Sequence, residues 1–253
     1  MLESSFIFLN GIGETTERRL WSDGIANWRQ FLEAPTALGI GPARKALYDR
    51  EVEQALDDLR RAQWRKVAER FKAADHWRLF EAFRKRTVFL DIETNGYPAG
   101  EGEITMVGLY GNHAMTTLVR HQNLTLDRLQ DELSNYDLIV TFFGSGFDLP
   151  YLRASYPRLD LSHSHFDLCF AARRLGMRGG LKHIEAELGL SRSDDVQGLN
   201  GWDAVNLWHT WQAGDERAGE TLLQYNEADV RNLEPLAEYL YQALRDRYGP
   251  GCN

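Results

Sequence analysis

Two acidic residues one position apart, Asp91 and Glu93, lie at the end of the apolar segment 88–92, which an Asn-Gly pair at 95–96 then closes. An apolar run that stops at a turn indicates a buried β-strand. Because residues i and i+2 of a strand point to the same face, the two carboxylates project side by side. Carboxylates held that close repel each other and stay protonated unless a cation lies between them. A hard divalent cation such as Mg²⁺ or Mn²⁺, which prefers oxygen ligands, is the natural partner; the alternative is a strand that ends with two solvated acids.

Two further acids come at positions where α/β proteins place functional groups. Asp148 follows an apolar segment and the turn 144–146, and it opens a helix. Ligand sites in α/β sheets lie where strands end and helices begin. Asp229 follows Tyr225 by four residues on the last predicted helix, which begins near residue 215 and runs past Pro235. Residues at i and i+4 are neighbours on one helix face, so the tyrosine hydroxyl and this carboxylate share a surface.

The elements between these residues predict an α/β domain. Segments rich in apolar and β-branched residues and bounded by Gly, Pro or Asn indicate strands, and apolar residues at helical spacing indicate helices. Strands are predicted at 88–94, 104–110, 114–120, 137–143 and 165–168, the second and third as a hairpin. Helices are predicted at 124–133, 180–189 and 202–211. Trp202, Trp208 and Trp211 are expected to pack inside this domain.

The front of the chain carries a short duplicated pattern. An apolar segment meets a Gly-x-Gly turn at Gly11 and Gly13, and the same arrangement recurs 28 residues later at Gly39 and Gly41. Each pair precedes a helix with two basic residues. Glycines permit a tight turn, and the free N–H groups of a helix N-terminus favour an anion, so the pattern predicts contact with phosphates. The residues expected to make this contact are Gly11, Gly13, Arg18, Gly39, Gly41, Arg44 and Lys45. The alternative is a helical domain whose hairpins bind only protein.

Charge divides the chain unevenly. Residues 1–86 hold 16 Lys and Arg against 13 Asp and Glu, whereas residues 87–253 hold 13 against 24. A basic front part suits phosphate contact and an acidic back part suits metal binding, although acidic surface also serves solubility. No apolar run reaches the length of a membrane helix, and the N-terminus lacks a signal-peptide pattern. The distant cysteines Cys169 and Cys252 predict free thiols in a reducing cytoplasm.

Together, the Asp-x-Glu pair, the Phe-Asp pair at 147–148 and the Tyr-x-x-x-Asp of 225–229 have the order and spacing of the DEDD 3′–5′ exonucleases, which they resemble. The tyrosine marks the DEDDy subclass. The rival subclass has a histidine five residues before the last Asp, where this chain has Gln224. The flanking sequence resembles the YprB-type ribonuclease-H-like exonucleases over about residues 87–240, and the front pattern resembles a helix-hairpin-helix module. The segments that carry the first resemblance are 147–152, 179–182, 201–205 and 225–233.

The resemblance implies a ribonuclease-H-like α/β fold, with a mixed five-stranded sheet flanked by helices. It implies a helix-hairpin-helix domain at 1–50, a helical connector at 51–86 and an exonuclease domain at 87–245. It also implies two Mg²⁺ or Mn²⁺ ions held by four acids, Asp91, Glu93, Asp148 and Asp229.

Two-metal hydrolysis of a phosphodiester uses such a pair of ions about 3.5–4 Å apart. One ion activates water and the other stabilises the leaving oxygen. Asp91 is expected to bridge the ions, Glu93 and Asp229 to complete the water-activating site, and Asp148 to support the second ion. The Tyr225 hydroxyl would orient the attacking water, since its ordinary pKa of about 10 makes it a poor base.

One departure from the family is visible. Many relatives have an Asn in a Tyr/Phe-Asn-Gly setting before the second-motif Asp, and here Phe143 takes that place. No metal ligand is lost, so the expected function is 3′–5′ degradation of single-stranded DNA or RNA ends. The alternatives are a binding or scaffolding protein without turnover and a structure-selective endonuclease. Asp167, Lys182 and His183 are weaker site candidates for which a structural role is expected.

Overall fold

A computed structural model of the chain describes residues 1–193 and 195–251, so Cys252 lies outside the described residues. The chain divides into two compact units. One comprises Met1–Arg84 together with the chain from Tyr241 onward, and the other comprises Lys85–Leu240. Among the described helices, none combines the length and apolar character needed to cross a membrane.

The second unit is built on a five-stranded mixed sheet, as the resemblance implies, and its strand order is β3-β2-β1-β4-β5. Its central strand β1 pairs antiparallel with β2 and parallel with β4, while β2–β3 is an antiparallel hairpin and β4–β5 is parallel. The strands are β1 (Thr87–Thr94), β2 (Ile104–Gly111), β3 (Ala114–Val119), β4 (Leu138–Thr141) and β5 (Ser164–Asp167).

Helices follow the strands and cover the sheet. They are α5 (Leu126–Leu133), α6 (Asp148–Ser155), α7 (Leu168–Arg174), α8 (Leu181–Glu187), α9 (Gly201–Gln212) and α10 (Glu216–Tyr248). All but α7 lie where the sequence predicts a helix, and α10 includes Pro235 as expected.

The alternation of β1 gives each face of the sheet a different role. Val88, Leu90 and Ile92 are buried in an apolar cluster with residues of β2, α5 and α6. The alternate residues of the strand, including Asp91 and Glu93, therefore point to the opposite face. On that second face a smaller apolar cluster joins β2, β3, α9 and α10. The sheet thus presents the paired acids toward the side on which α10 packs.

The first unit is helical, with α1 (Glu14–Ser22), α2 (Trp28–Glu33), α3 (Pro42–Arg60) and α4 (Trp64–Ala68). Its core contains an ion pair between Glu17 and Arg78, 2.9 Å apart, with side chains only 1% and 0% exposed. The Phe6 amide and the Ser5 hydroxyl donate to the same Glu17 carboxylate at 2.6 and 3.0 Å. These bonds satisfy a charge that burial would otherwise disfavour, although burial still raises the Glu17 pKa.

The first glycine has a left-handed backbone in both Gly-x-Gly turns of this unit. Gly11 and Gly39 have φ of +84° and +75°, the left-handed region that glycine enters without strain. Gly13 and Gly41 are the N-caps of α1 and α3, and neither has a capping side chain. The N-terminal N–H groups of both helices therefore lack a side-chain acceptor at the cap.

Candidate active site

Three of the predicted acids converge on one face of the sheet. Asp91 and Glu93 come from β1, and Asp229 comes from α10. One carboxylate oxygen from each lies within 4.8 Å of the other two. Glu93 and Asp229 are buried, and Asp91 is half-buried. Three hard oxygen donors at this spacing suit Mg²⁺ or Mn²⁺, so the donor set fits the predicted cations.

The fourth acid, Asp148, is joined directly to the strand that carries the first two. It is the first residue of α6 and is 3% exposed. Its Oδ1 accepts a hydrogen bond of 3.1 Å from the N–H of Ile92, the residue between Asp91 and Glu93. The structure therefore brings all four predicted acids to the same segment of β1.

The pKa values of Asp91, Glu93 and Asp148 are raised by burial and by repulsion between carboxylates. Burial, followed by repulsion from the neighbouring carboxylates, raises the pKa of Asp91 and of Glu93 well above the ordinary values. Burial also raises the pKa of Asp148 to about 7, against the opposing effect of backbone N–H groups that includes Ile92. A cluster that resists ionisation by itself is stabilised in its charged form by a bound cation.

Asn226, which sequence reasoning did not single out, lies between the acids. Its Nδ2 donates a 3.1 Å hydrogen bond to Asp91 Oδ2, and the side chain is fully buried. The close approach of α10 depends on Gly108, the β2 partner of Asp91, because a Cβ at that position would lie 2.2 Å from Asn226 Oδ1. The available signal was the spacing of three residues from Asp229, which puts both on one helix face.

Tyr225 lies one turn before Asp229 and is 4% exposed. Lys182 Nζ donates a 2.7 Å hydrogen bond to its hydroxyl oxygen, and also bonds the carbonyl of Leu199. Burial and the adjacent carboxylates raise the Tyr225 pKa, so the phenol keeps its proton. With its oxygen accepting from Lys182, the hydroxyl has its proton available for a water or a phosphate oxygen.

A second cation, Arg192, contacts the site from the loop between α8 and α9. Its guanidinium forms an ion pair with Asp229 and two hydrogen bonds of 2.8 Å with Glu185. Both Arg192 and Glu185 are buried, with side chains 7% and 2% exposed. No motif in the sequence marks these two residues, since neither lies at a fixed spacing from a predicted acid.

An open cavity of about 610 Å³ adjoins the acids, with Asp91, Glu93, Tyr225 and Asp229 in its wall. Aromatic side chains also line it, namely Tyr97, Phe147 and Trp202. These three rings are 62%, 44% and 71% exposed. The expectation that Trp202 packs in the core is therefore wrong, because it lies on the exposed first turn of α9, whereas Trp208 is buried as expected.

The weaker candidates Asp167 and His183 make contacts that stabilise a turn and a helix. Asp167 caps α7 and accepts hydrogen bonds from the N–H groups of Phe143 and Ser145, which fixes the turn after β4. His183 is exposed and lies 3.2 Å from Glu187 on the same helix. Phe143 is 42% exposed with φ of +65°, a conformation that favours Gly or Asn over Phe.

The predicted phosphate contacts of the first unit differ in exposure. Gly11, Gly13, Arg18, Gly39, Gly41 and Arg44 are exposed. Lys45 is not, because its ammonium lies 2.5 Å from Asp49 and 4.5 Å from the centre of the Phe31 ring. Arg19, which was not predicted, packs against Gly39, where a Cβ would lie 2.6 Å from its guanidinium.

Several solved structures of known proteins are similar to this chain. The chain resembles part of a family B DNA polymerase from the archaeon Pyrobaculum calidifontis at 18% identity and a TM-score of 0.53. That match covers 65% of this chain but only 26% of the polymerase. Escherichia coli RNase D is similar at 17% identity and a TM-score of 0.47, over 66% of this chain and 42% of RNase D. The Aedes aegypti Nibbler EXO domain is similar at 14% identity and a TM-score of 0.47, over 69% of this chain and 87% of that one.

No curated protein matches the chain. A family model described as the RNase H superfamily matches residues 88–241, which is more than half of the sequence. This range contains the four acids, Tyr225 and all five strands except Thr87, the first residue of β1. The chain therefore belongs to the RNase H superfamily.

Proposed function

We propose that this protein is a metal-dependent 3′–5′ exonuclease of the DEDDy type that acts on single-stranded nucleic-acid ends, DNA first and RNA as the alternative. The observation that carries the proposal is the convergence of Asp91, Glu93 and Asp229 oxygens within 4.8 Å. Asp148, bonded to the same strand, completes the four-acid set.

The acids have separate roles in this proposal. Asp91 would contribute to both of two divalent-cation sites, for Mg²⁺ or Mn²⁺. Glu93 and Asp229 would complete one of these sites, and Asp148 would support the other. When bound, two such ions lower the pKa of a water molecule and neutralise charge on the leaving oxygen. Asn226 holds the Asp91 carboxylate in place through its 3.1 Å hydrogen bond.

Tyr225 orients the attacking water in this proposal. Its raised pKa excludes it as the base but leaves it as a hydrogen-bond donor. Lys182 fixes the direction of the hydroxyl through the 2.7 Å bond to its oxygen. Lys182 is itself held by the Leu199 carbonyl, so the donor is positioned before substrate arrives.

The cavity and the first unit support binding of a strand end. Exposed aromatic rings stack on bases without regard to sequence, and the cavity wall carries three of them beside the acids. The exposed glycine turns and Arg18 and Arg44 of the first unit would hold the phosphate backbone, as in a helix-hairpin-helix module.

The test uses 5′-labelled DNA and RNA 30-mers of one sequence, each with a free or a blocked 3′ end, in Mg²⁺, Mn²⁺ or EDTA. The proposal predicts a ladder of shortened products from free 3′ ends only, and none in EDTA. Asp91→Asn and Asp229→Asn should abolish the ladder, whereas the exposed Glu227→Gln on the same helix should not. Cleavage of a circular single strand would indicate an endonuclease. Undiminished degradation by both acid variants would defeat the assignment of the site.

A further inference from the structure

Arg192 is held from two sides by buried acids. Its Nε and Nη2 donate to the two Glu185 oxygens, each at 2.8 Å, and its Nη1 contacts Asp229 Oδ1. Glu185 is in turn fixed by a 3.1 Å hydrogen bond from Asn232 Nδ2 on α10. The result is a continuous series of contacts from the half-buried Asn232 through Glu185 and Arg192 to Asp229.

The geometry of these side-chain contacts determines the direction of the Arg192 guanidinium. Two parallel hydrogen bonds to one carboxylate fix the plane of an arginine head group, which a lysine ammonium cannot reproduce. With Nε and Nη2 committed to Glu185, Nη1 is left to meet Asp229. Among the described residues, Arg192 forms no ion pair with Asp91 or Glu93. Of the three converging acids it therefore contacts only Asp229.

The Arg192 guanidinium could act on Asp229 in two ways. A mobile guanidinium would compete with a divalent ion for Asp229, and its removal would strengthen metal binding. A fixed guanidinium would instead hold one Asp229 oxygen and set the orientation of the other. The bidentate, buried bond to Glu185 favours the fixed role, because leaving it would strand a charge that is 2% exposed.

We propose that Arg192, aimed by Glu185, is a positioning residue that orients the Asp229 carboxylate for a divalent cation. This inference rests on the metal centre of the proposed function. Partners that orient metal ligands in this way change metal affinity by about 10- to 100-fold when they are removed. The contribution of Arg192 is therefore expected in ion binding itself, before any substrate is present.

The experiment measures Mn²⁺ binding to the full chain without nucleic acid, from the electron paramagnetic resonance signal of free Mn²⁺. Arg192→Gln is expected to weaken binding at least about 10-fold, and Arg192→Lys to weaken it less. The matched control is Arg231→Gln, since Arg231 lies on the same helix as Asp229 but pairs with exposed Glu227 at 2.6 Å. It removes the same charge and should bind Mn²⁺ like the wild type.

The outcomes separate this inference from the proposed function. A wild-type protein that binds no Mn²⁺ defeats the metal centre and the role of Arg192 together. A wild type that binds Mn²⁺ and a folded Arg192→Gln variant that binds equally or more tightly overturn the positioning role alone. Thermal unfolding in EDTA establishes whether each variant is folded. If Arg192→Gln is not, Arg192→Lys decides, and wild-type affinity in that variant overturns the inference.

Discussion

Asn226 Nδ2 and Asp91 Oδ2 are 3.1 Å apart although 135 residues separate them in the chain. The hydrogen bond between them connects α10 to β1 at the centre of the acid group. It is possible because β2 has a glycine beside Asp91, and the missing Cβ leaves room for the amide. The orientation of a proposed metal ligand therefore depends on the absence of a side chain on the neighbouring strand.

Gly108→Ala is predicted to destabilise the fold and weaken the site. Its Cβ would lie 2.2 Å from Asn226 Oδ1 and 2.6 Å from Val230 Cγ2, so α10 must shift. Overpacking of this kind costs about 1–3 kcal/mol, measurable by denaturant unfolding, and Mn²⁺ affinity should fall as well. The control is Gly180→Ala, where a Cβ has no neighbour within 4 Å. Equal stability and Mn²⁺ affinity in wild type and Gly108→Ala would contradict this packing.

The buried acids predict that the metal-free protein loses stability as pH rises. The Asp148 pKa is raised from 3.8 to about 7, so the folded state binds more protons than the unfolded state between those values. The contribution of Asp148 to the free energy of unfolding is therefore largest below pH 4. It falls toward pH 7 by no more than about 4 kcal/mol. Unfolding in EDTA across this range should show the slope, and Asp148→Asn should reduce it. A slope unchanged by Asp148→Asn would show that Asp148 is not the group responsible.

Tyr225→Phe is predicted to slow the reaction while leaving metal binding intact. The hydroxyl is a hydrogen-bond donor in the proposed mechanism and not a ligand, so only the placement of water is lost. Misplacement of a reacting group costs up to about 100-fold, so kcat should fall by about 10- to 100-fold at saturating oligonucleotide. Tyr241→Phe is the control, because its buried hydroxyl has no hydrogen-bond partner among the described residues. Loss of Mn²⁺ affinity in Tyr225→Phe would instead indicate a ligand.

Glu17→Gln is predicted to destabilise the first unit through its buried ion pair. The substitution leaves Arg78, which is 0% exposed, without its carboxylate at 2.9 Å. Breaking a buried pair by removing one partner costs about 3–5 kcal/mol. Denaturant unfolding measures the loss, and Glu17→Gln combined with Arg78→Met should recover part of it. A loss below about 1 kcal/mol for Glu17→Gln would mean that the pair is not a determinant of stability.

The first unit provides a separate test of nucleic-acid binding. Arg18→Gln and Arg44→Gln remove exposed charges beside the glycine turns, and together they should lower the salt dependence of single-strand binding by about 1.4 in slope. Lys45→Met should leave the slope unchanged, because its ammonium is already paired with Asp49 at 2.5 Å. A slope unaffected by the double arginine change would support the alternative that these hairpins bind only protein.

The predicted site residues were those whose positions depend on local periodicity. The period of two in β1 placed Asp91 and Glu93 on one face, and the period of the helix placed Tyr225 beside Asp229. Asp148 was predicted because the turn before it ends a strand. The mixed five-stranded sheet follows from the family resemblance and is confirmed by the structure, whereas the order of its strands was not predicted.

The residues that were not predicted, or were predicted in another environment, are those whose positions depend on tertiary packing. Arg192 reaches Asp229 from an irregular loop, and its role appears only when Glu185 on α8 is placed beside it. Gly108 is an ordinary strand glycine in the sequence, because its role depends on α10 packing against it. Lys45 is predicted to contact phosphate, but the helix turns its ammonium toward Phe31 and Asp49. The residue type of Trp202 predicts packing, but the first turn of α9 leaves the side chain exposed.

The most direct test of the metal centre is an anomalous difference map from crystals of the full chain soaked in Mn²⁺. The four-acid arrangement predicts a peak about 2–2.5 Å from carboxylate oxygens of Asp91, Glu93 and Asp229, and a second peak near Asp148 when a nucleotide is also bound. Crystals that bind Mn²⁺ elsewhere, or that show no peak among these residues at millimolar Mn²⁺, would contradict it.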